Sequence, residues 1–401
     1  MNAARPKILC LTSHDLDLPE YGAVIRVRSI FRALQQTGDV RIVLAGAPET
    51  FARNGASSIG GFELLETVPF HRVKKFSVAE LWRNEFDPRF LKTHKLQAAA
   101  GDREKILRHA AESDLVWIHS LRTANGLGLF RWPHSVLDVD DVPSDLAATS
   151  LAGIKNPFRK LRDFQRLLRW RNREKAIAER FDAICVCSEP DRRKLGGSKN
   201  IFVVPNGFTA PKNVPRRNPA APPRVGFIGT MRYVPNRDGV GWFLNSIWPL
   251  VLRQIPDARL RLVGAGSEEI GKLCPNVDRL GWLADVESEM AGWSLAIVPL
   301  LAGGGTRIKI AEAFSRKCPV VSTKLGAYGY DVSDGRELLL ADAPKEFAEK
   351  CLRILTQPDE ARTMAENAWQ KFLANWTWDS INAPVAKIVE GVLRKNATLP
   401  A

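Results

Sequence analysis

No stretch of this chain approaches the roughly 18 consecutive apolar residues that a membrane-spanning helix needs. The opening MNAARPKILCLTS has no apolar core of the kind a secretory signal requires; KILCL runs at once into SHD and reads as a first strand. The 6 cysteines are scattered, without the spacing of a disulfide framework or a zinc site. Cys185 and Cys187 fall in an apolar strand pattern, AICVC, as buried thiols, and this usage fits a reducing cytoplasm. Also missing are a paired Cys/His set and an aromatic RNA-binding strand, which removes the common nucleic-acid modules. Gly264-Ala265-Gly266 resembles half of a dinucleotide fingerprint, but Glu269 stands where the third glycine belongs, so NAD binding is discounted.

The chain has 401 residues, too many for one ordinary core, and two domains are expected. It is 45% hydrophobic and 25% charged, the composition of a globular protein. The net charge of +14 and a pI near 9.7 point to nucleic acid, an anionic membrane surface or anionic small substrates. Basic residues concentrate in residues 155–175, KNPFRKLRDFQRLLRWRNREK, where Phe158, Leu161, Phe164, Leu167, Leu168 and Trp170 recur at helical spacing. Two readings stand: a basic amphipathic helix on an anionic membrane, or a helix whose apolar face packs on the sheet while its charged face is solvated.

Strand-like runs alternate with helical ones in both halves, the pattern of α/β domains with parallel sheets. In the first half, strands are expected at Lys7–Thr12, Val40–Ala45, Phe62–Thr67, Asp114–His119, Ser135–Val142, Phe181–Ser188 and Ile201–Val204. Residues 24–36 and 77–111 read as helical, the latter with breaks. His119 ends a buried strand, where open α/β sheets bind ligands, either as a site residue or as a histidine capping a loop. Asp138-Val139-Asp140 is formally a metal-binding acidic triplet, but such triplets at strand ends are common. Hydrogen bonding to an acceptor, or structural capping, is the stronger reading, and no metal is expected. The proline-rich stretch 209–223 reads as a linker between domains 1–208 and 224–377. In the second half, strands are expected at Arg224–Gly229, Arg259–Val263, Val277–Trp282, Leu295–Leu300, Pro319–Ser322 and Glu337–Leu340, with a helix at 239–254.

The most informative stretch is Leu301–Pro319, LAGGGTRIKIAEAFSRKCP. An apolar strand end runs into three glycines, Thr306 and Arg307, then a helical pattern. Glycines let the backbone approach a ligand closely, and the following helix turns its N–H groups and positive dipole end toward the loop. Arg307 adds a fork suited to phosphate oxygens. Glu312 makes little sense beside a phosphate but suits sugar hydroxyls. The stretch therefore reads as a site for a phosphate linked to a sugar; the alternative, taken alone, is a tight strand-to-helix turn with Glu312 solvated.

As an ordered set, the segments VGFIGTMRYVPNRDGVGWF, PDARLRLVGAG, LGWLADV, AIVPLLAGGGTRIKIAEAFSRKCPVVSTKLGAYG and DGRELLLAD resemble the GT-B, family-4 (group 1) retaining glycosyltransferases. The PNG turn, the HSLRTA loop and the CSEPDRRKL segment extend the resemblance into the first half. It implies two facing Rossmann-like domains about a deep cleft, with a C-terminal helix, 378–398, crossing back onto the first. It also implies a nucleotide-sugar donor (UDP-, GDP-, ADP- or dTDP-linked) in the second domain, no tightly bound cofactor, and a glycan or lipid-linked acceptor. The setting would be cell-surface or exopolysaccharide assembly, in the cytoplasm and peripherally on the inner membrane face.

The resemblance carries over residue by residue. Glu312 matches the family's second glutamate, at the donor ribose. Gly304 stands where the first glutamate would be, as in a GGGTR variant subset, so the amides of Gly303, Gly304, Gly305 and Thr306 with Arg307 replace that contact. Thr230, after Gly229, stands where an arginine is usual; Arg232, Arg237 or Lys309 would supply the second positive charge. Gly281, Trp282 and Leu283 match the loop framing the base. His119 matches a histidine beside the transferred sugar, and Gly22 matches a glycine where donor phosphate and acceptor meet, although Ala23 replaces a second one. His119, Arg307 and Glu312 are thus the expected catalytic residues. Arg26, Asp138 and Asp140 are placed on the acceptor side. A GT-B protein that binds nucleotide sugar or glycan with little or no catalysis is the alternative, and a nucleic-acid binder, suggested by charge alone, is the third.

Overall fold

The computed structural model describes residues 4–17, 22–47, 57–73, 76–92, 96–151, 156–270 and 274–397. The chain divides into two compact units, Met1–Pro205 with Asn382–Ala401, and Asn206–Ile381.

The first unit is built on a 9-stranded sheet. Its leading part comprises β1 (Lys7–Thr12), α1 (Gly22–Thr37), β2 (Asp39–Gly46), the short β3 (Ser58–Ile59), β4 (Phe62–Arg72), α2 (Val78–Phe86), β5 (Leu96–Ala98) and α3 (Ala100–Ala111). There follow β6 (Leu115–His119), α4 (Leu121–Gly126), β7 (Ser135–Val139), α5 (Pro143–Leu151), α6 (Pro157–Glu174), β8 (Ala183–Val186), α7 (Glu189–Lys194) and β9 (Ile201–Val203). The strand order is β3-β4-β2-β1-β6-β7-β8-β9, with β5 added to β4. All pairs are parallel except β3–β4 and β4–β5. The central strands are buried throughout, as parallel strands covered on both faces must be. The expected strand at Phe62–Thr67 runs on to Arg72, because its far end pairs with β5, a strand hidden inside the stretch expected to be helical.

The second unit has a 6-stranded, wholly parallel sheet. It contains β10 (Arg224–Ile228), α8 (Val234–Trp242), α9 (Trp248–Gln254), β11 (Arg259–Val263), β12 (Val277–Gly281), α10 (Val286–Ala291) and β13 (Leu295–Val298). Next come α11 (Ile308–Ser315), β14 (Val320–Ser322), β15 (Leu339–Leu340), α12 (Pro344–Thr356), α13 (Pro358–Asn375) and α14 (Trp378–Ala397), whose residues from Asn382 on belong to the first unit. The strand order is β12-β11-β10-β13-β14-β15, so the order reverses between β10 and β13. Ligands bind at the carboxyl ends of strands flanking such a reversal. The single helix expected at 239–254 is interrupted by a π-helical turn at Phe243–Ile247. Pro249, just beyond it, lacks the N–H that a continuous helix would use. Phe243 and Trp248 pin the turn against the core, with ring centroids 6.1 Å apart.

The stretch read as a linker is held to the second unit. Arg217 Nη1 donates to Met290 O at 2.7 Å, and Asn218 and Ala220 donate to Ala291 O and Gly292 O, both at 3.0 Å.

Candidate functional site

The carboxyl ends of β10, β11 and β13 converge on glycines. Gly229 follows β10 with φ +148°, and Gly264 follows β11 with φ +127°. A Cβ on Gly264 would lie 2.3 Å from Gly229 O, so the two loops touch backbone to backbone. After β13 the chain enters the glycine run, where Gly303 has φ +128° and Gly305 φ +66°. Both conformations favour glycine, and they turn the chain into α11 at Arg307.

Arg307 is 9% exposed, and its Nη1 donates to Gly304 O. Its Nε and Nη2 are buried with no hydrogen-bond partner among the described residues. Nη2 lies 2.6 Å from where a Cβ on Gly303 would stand, so the glycine makes room for the guanidinium. Two unsatisfied donors on a buried cation are costly unless an anion completes them. The backbone beneath is fixed: Tyr330 Oη donates to Arg307 O at 2.9 Å, and Asn206 Nδ2 donates to Thr306 Oγ1 at 2.9 Å.

A second cation stands in the same cradle. Lys309 Nζ is 2.8 Å from Asn236 Oδ1 and 4.1 Å above the Phe227 ring. It also lies 3.0 Å from where a Cβ on Gly229 would be. Asn236 is buried and anchored by donating to Thr230 O at 2.9 Å. Burial, then the Arg307 charge, pull Lys309 from the ordinary lysine range down to about 7, against a smaller pull upward from Glu312. Of the three cations the sequence offers for the second charge, Lys309 occupies the cradle. Arg232 is exposed, and Arg237 is exposed and ion-paired with Asp238 at 3.8 Å. Arg237 stands apart from that cradle; the neighbouring Asn236, which sequence reading passed over, makes the contact with Lys309.

Glu312 lies one turn into α11, half-buried, and accepts from Arg316 Nη2 at 3.1 Å. Arg316 in turn lines a cavity of 430 Å³ with Arg216, Asp285 and Ser288. Gly281 has φ +64°, and its N–H donates to Ser267 Oγ at 2.9 Å; Trp282 beside it is 66% exposed.

In the first unit, the expected acceptor-side residues are assembled differently. Arg26 reaches from α1 to the end of β7, where Nη2 meets Asp138 Oδ1 at 2.5 Å and Nε meets Oδ2 at 3.1 Å. Nη1 donates to Val204 O at 3.0 Å. Arg26 and Asp138 are both 0% exposed. This corrects their placement: an ion pair sealed from solvent presents nothing to an acceptor, and its work is to tie α1 to the sheet. Burial would raise Asp138, but Arg26 and then His119 outweigh it and hold the carboxyl at about 2. Asp140 is half-exposed and lies 3.5 Å from Cys187 Sγ. Among the described residues no group of three or more His, Cys, Asp or Glu side chains is placed to hold a metal ion.

His119 is buried, its Nδ1 3.3 Å from Asp138 Oδ2, a carboxylate acceptor that holds a proton on Nδ1 and fixes the ring. Its ring packs on His14, centroids 5.2 Å apart, and His14 is the half-exposed member of the pair. Burial, then His119, lower His14 to about 4, so it is neutral at pH 7. Ser120, next to His119, has φ +71° and ψ 142°, a region almost reserved for glycine. Such strain accumulates at working sites, and it aims the chain from β6 into α4. Gly22 opens α1.

Residues 222–357 match the family model described as Glycosyl transferases group 1. Over 97% of this chain and 100% of its own, the structure of sucrose-phosphate synthase from Thermosynechococcus elongatus superposes with a TM-score of 0.68 at 17% identity. The fold is GT-B. Anabaena Alr3699/HepE, solved with UDP and glucose, gives a TM-score of 0.61 at 18% identity, over 96% of this chain and 100% of that one. In sequence, the chain is 24% identical over 248 residues to an uncharacterized 44.6 kDa protein in the cps region of Klebsiella pneumoniae. That match covers 57% of this chain and spans 62% of the relative's length. Arg307, Lys309, Glu312 and the glycines of the cradle from Gly229 on all lie inside residues 222–357, the stretch that matches this family model.

Proposed function

We propose that this protein is a retaining glycosyltransferase that moves a sugar from a nucleotide-diphosphate sugar to a glycan or lipid-linked acceptor, in surface polysaccharide assembly. The observation that carries the reading is the Arg307 guanidinium, buried at the N-terminus of α11 with two donors unsatisfied. Departure of the nucleoside diphosphate builds negative charge on its phosphate oxygens. The loop amides, the helix dipole, Arg307 and Lys309 stand ready to receive that charge without rearrangement. With retention, the leaving phosphate itself takes the acceptor hydroxyl's proton, so no carboxylate base is needed. Glu312, released from Arg316, hydrogen-bonds the ribose. Gly281 and Trp282 frame the base. His119, its ring fixed by Asp138, orients the sugar, with His14 as the more accessible partner. The glucose and UDP held by the Anabaena neighbour, and the cps setting of the Klebsiella relative, support the donor class and the polysaccharide setting.

A thermal-shift panel of UDP-, GDP-, ADP- and dTDP-sugars, on the wild type and Arg307→Ala, tests the donor site. A ligand at about a hundred times its Kd stabilises by about 2.7 kcal/mol. A shift with one nucleotide, lost in the variant, supports the assignment; equal shifts in both proteins refute the role of Arg307.

The Glu312–Arg316 pair and Gly304 in place of the family's first glutamate favour one other reading, a protein that binds nucleotide sugar without turning it over. Slow donor hydrolysis in the absence of acceptor separates the two, since a binding protein shows none.

A further inference from the structure

Half of the large exposed hydrophobic side chains among the described residues sit on two helices. Val78, Leu81, Trp82 and Phe86 are 84%, 53%, 65% and 62% exposed on α2; Phe158, Leu161, Phe164 and Leu168 are 82%, 58%, 46% and 48% exposed on α6. The two helices are joined. Arg173 Nη2 donates to Asn84 O at 2.7 Å, Asn172 Nδ2 to Phe86 O at 3.0 Å, and Arg169 pairs with Glu85 at 3.1 Å.

The geometry of α6 decides what the exposed residues mean. Its packed face consists of Leu167, Trp170, Arg173 and Glu174. At 3.6 residues per turn, the mean direction of Phe158, Leu161, Phe164 and Leu168 lies roughly 160° from that face. The helix therefore has two apolar stripes, and the one with the two phenylalanines points away from the protein. Basic residues border this outer stripe: Arg162 and Arg169 along one edge, Lys160 and Arg171 along the other. Lys160, Arg166 and Arg171 are exposed, and no ion pair is formed by any of them among the described residues. A solvated surface helix has no use for four large apolar side chains on its outer face. An apolar stripe edged by cations is the pattern of a helix lying in a membrane interface, apolar side chains among the acyl chains and cations at the headgroups. Trp82 on α2 supplies the ring type that settles at that depth.

We propose that α2 and α6 together form a docking surface for an anionic lipid bilayer. The charge selects anionic headgroups, and the outward apolar side chains select a bilayer over a soluble polyanion. No helix of the described residues is long and apolar enough to cross a membrane, so the contact is interfacial. The proposal holds whether or not the protein transfers sugar. Of the basic stretch singled out in the sequence, Lys155 lies outside the described residues and is not used.

The test is co-sedimentation of the full chain with vesicles of phosphatidylcholine, with and without phosphatidylglycerol. Three proteins are compared: wild type, Leu161→Ser/Phe164→Ser with Trp82→Ser, and Lys160→Gln/Arg171→Gln. All five positions are exposed, so the variants fold, and an unchanged thermal midpoint verifies it. The wild type binds the phosphatidylglycerol vesicles and not the neutral ones. Neutralising two cations lowers the partition coefficient about 25-fold at low salt, at about fivefold each. The triple serine variant loses on the order of a hundredfold, because the apolar insertion is gone. Equal binding of wild type to both vesicle types overturns the proposal. So does a triple variant that binds anionic vesicles as well as wild type. Loss of a wild-type dimer in the triple variant, with no lipid binding by either, assigns the surface to a second copy instead.

Discussion

Lys309 gives the cradle a pH dependence that can be worked out in advance. In the empty site the ammonium is held at about 7 by burial and by Arg307. A bound diphosphate reverses the balance, since two phosphate charges favour the protonated form and lift the lysine back toward its ordinary range. Binding therefore takes up a proton wherever the free site has lost one. With the free site at about 7, the protonated fraction falls from about 0.9 at pH ~6 to about 0.01 at pH ~9. Affinity for the nucleotide sugar then drops by about ninety-fold across that range. The diphosphate of a nucleotide sugar is a diester with no proton to lose there, so the lysine owns the slope. Calorimetric titration at several pH values, with the nucleotide sugar giving the largest thermal shift, measures it directly. Proton uptake is read from the dependence of the heat on buffer ionisation enthalpy. Lys309→Met should bind more weakly at pH ~6 and show a flat profile. Arg307→Ala should weaken binding across the whole range, because it removes the fork that meets the phosphate oxygens. A flat wild-type profile, or a Lys309→Met profile as steep as wild type, refutes the reasoning.

Three other outcomes are expected. Gly303→Ala puts a Cβ 2.6 Å from Arg307 Nη2 at a residue with φ +128°; it should cost on the order of 1–3 kcal/mol in urea unfolding and weaken donor binding by roughly ten- to a hundredfold. Arg307→Ala should lower turnover by about a hundredfold or more, and Arg307→Lys should not restore it, because a lysine cannot supply the fork; steady-state kinetics with a radiolabelled donor decides. Arg26→Met leaves Asp138 buried without its guanidinium partner, and should cost about 3–5 kcal/mol in chemical unfolding. Because Asp138 is held at about 2, the stability that its pairing gives is complete above the ordinary carboxylate range and is lost as pH falls through about 2, so the gap between Arg26→Met and wild type should close in acid. A gap that widens there counts against the pairing.

The two parallel sheets and their helices were legible because each depends on patterns a few residues long. Apolar runs such as DLVWIH and AICVC fix buried strands, and glycines at 303–305 mark a turn that other residues resist. What was illegible depends on partners far apart in the chain. Arg26 and Asp138 are 112 residues apart and read as two exposed acceptor-side groups until the fold brings α1 over the end of β7. Asn236 carries no signal of its own; it matters because Lys309, 73 residues on, lies against it. β5 was lost in a helical stretch since three residues of strand are defined by their neighbour, β4, and not by their own pattern.

The helix at Pro157–Glu174 shows the division most plainly. The sequence by itself determined that it is a helix, with Asn156 accepting from Arg159 N at 3.0 Å as its cap and Pro157 in its first turn, and that it carries six large apolar residues among many cations. Periodicity places those six around the helix but cannot say which of them meet the protein. Only the tertiary structure decided that Leu167 and Trp170 face inward while Phe158, Leu161, Phe164 and Leu168 face out, because burial is a property of what packs against a surface, and that is supplied by the rest of the chain.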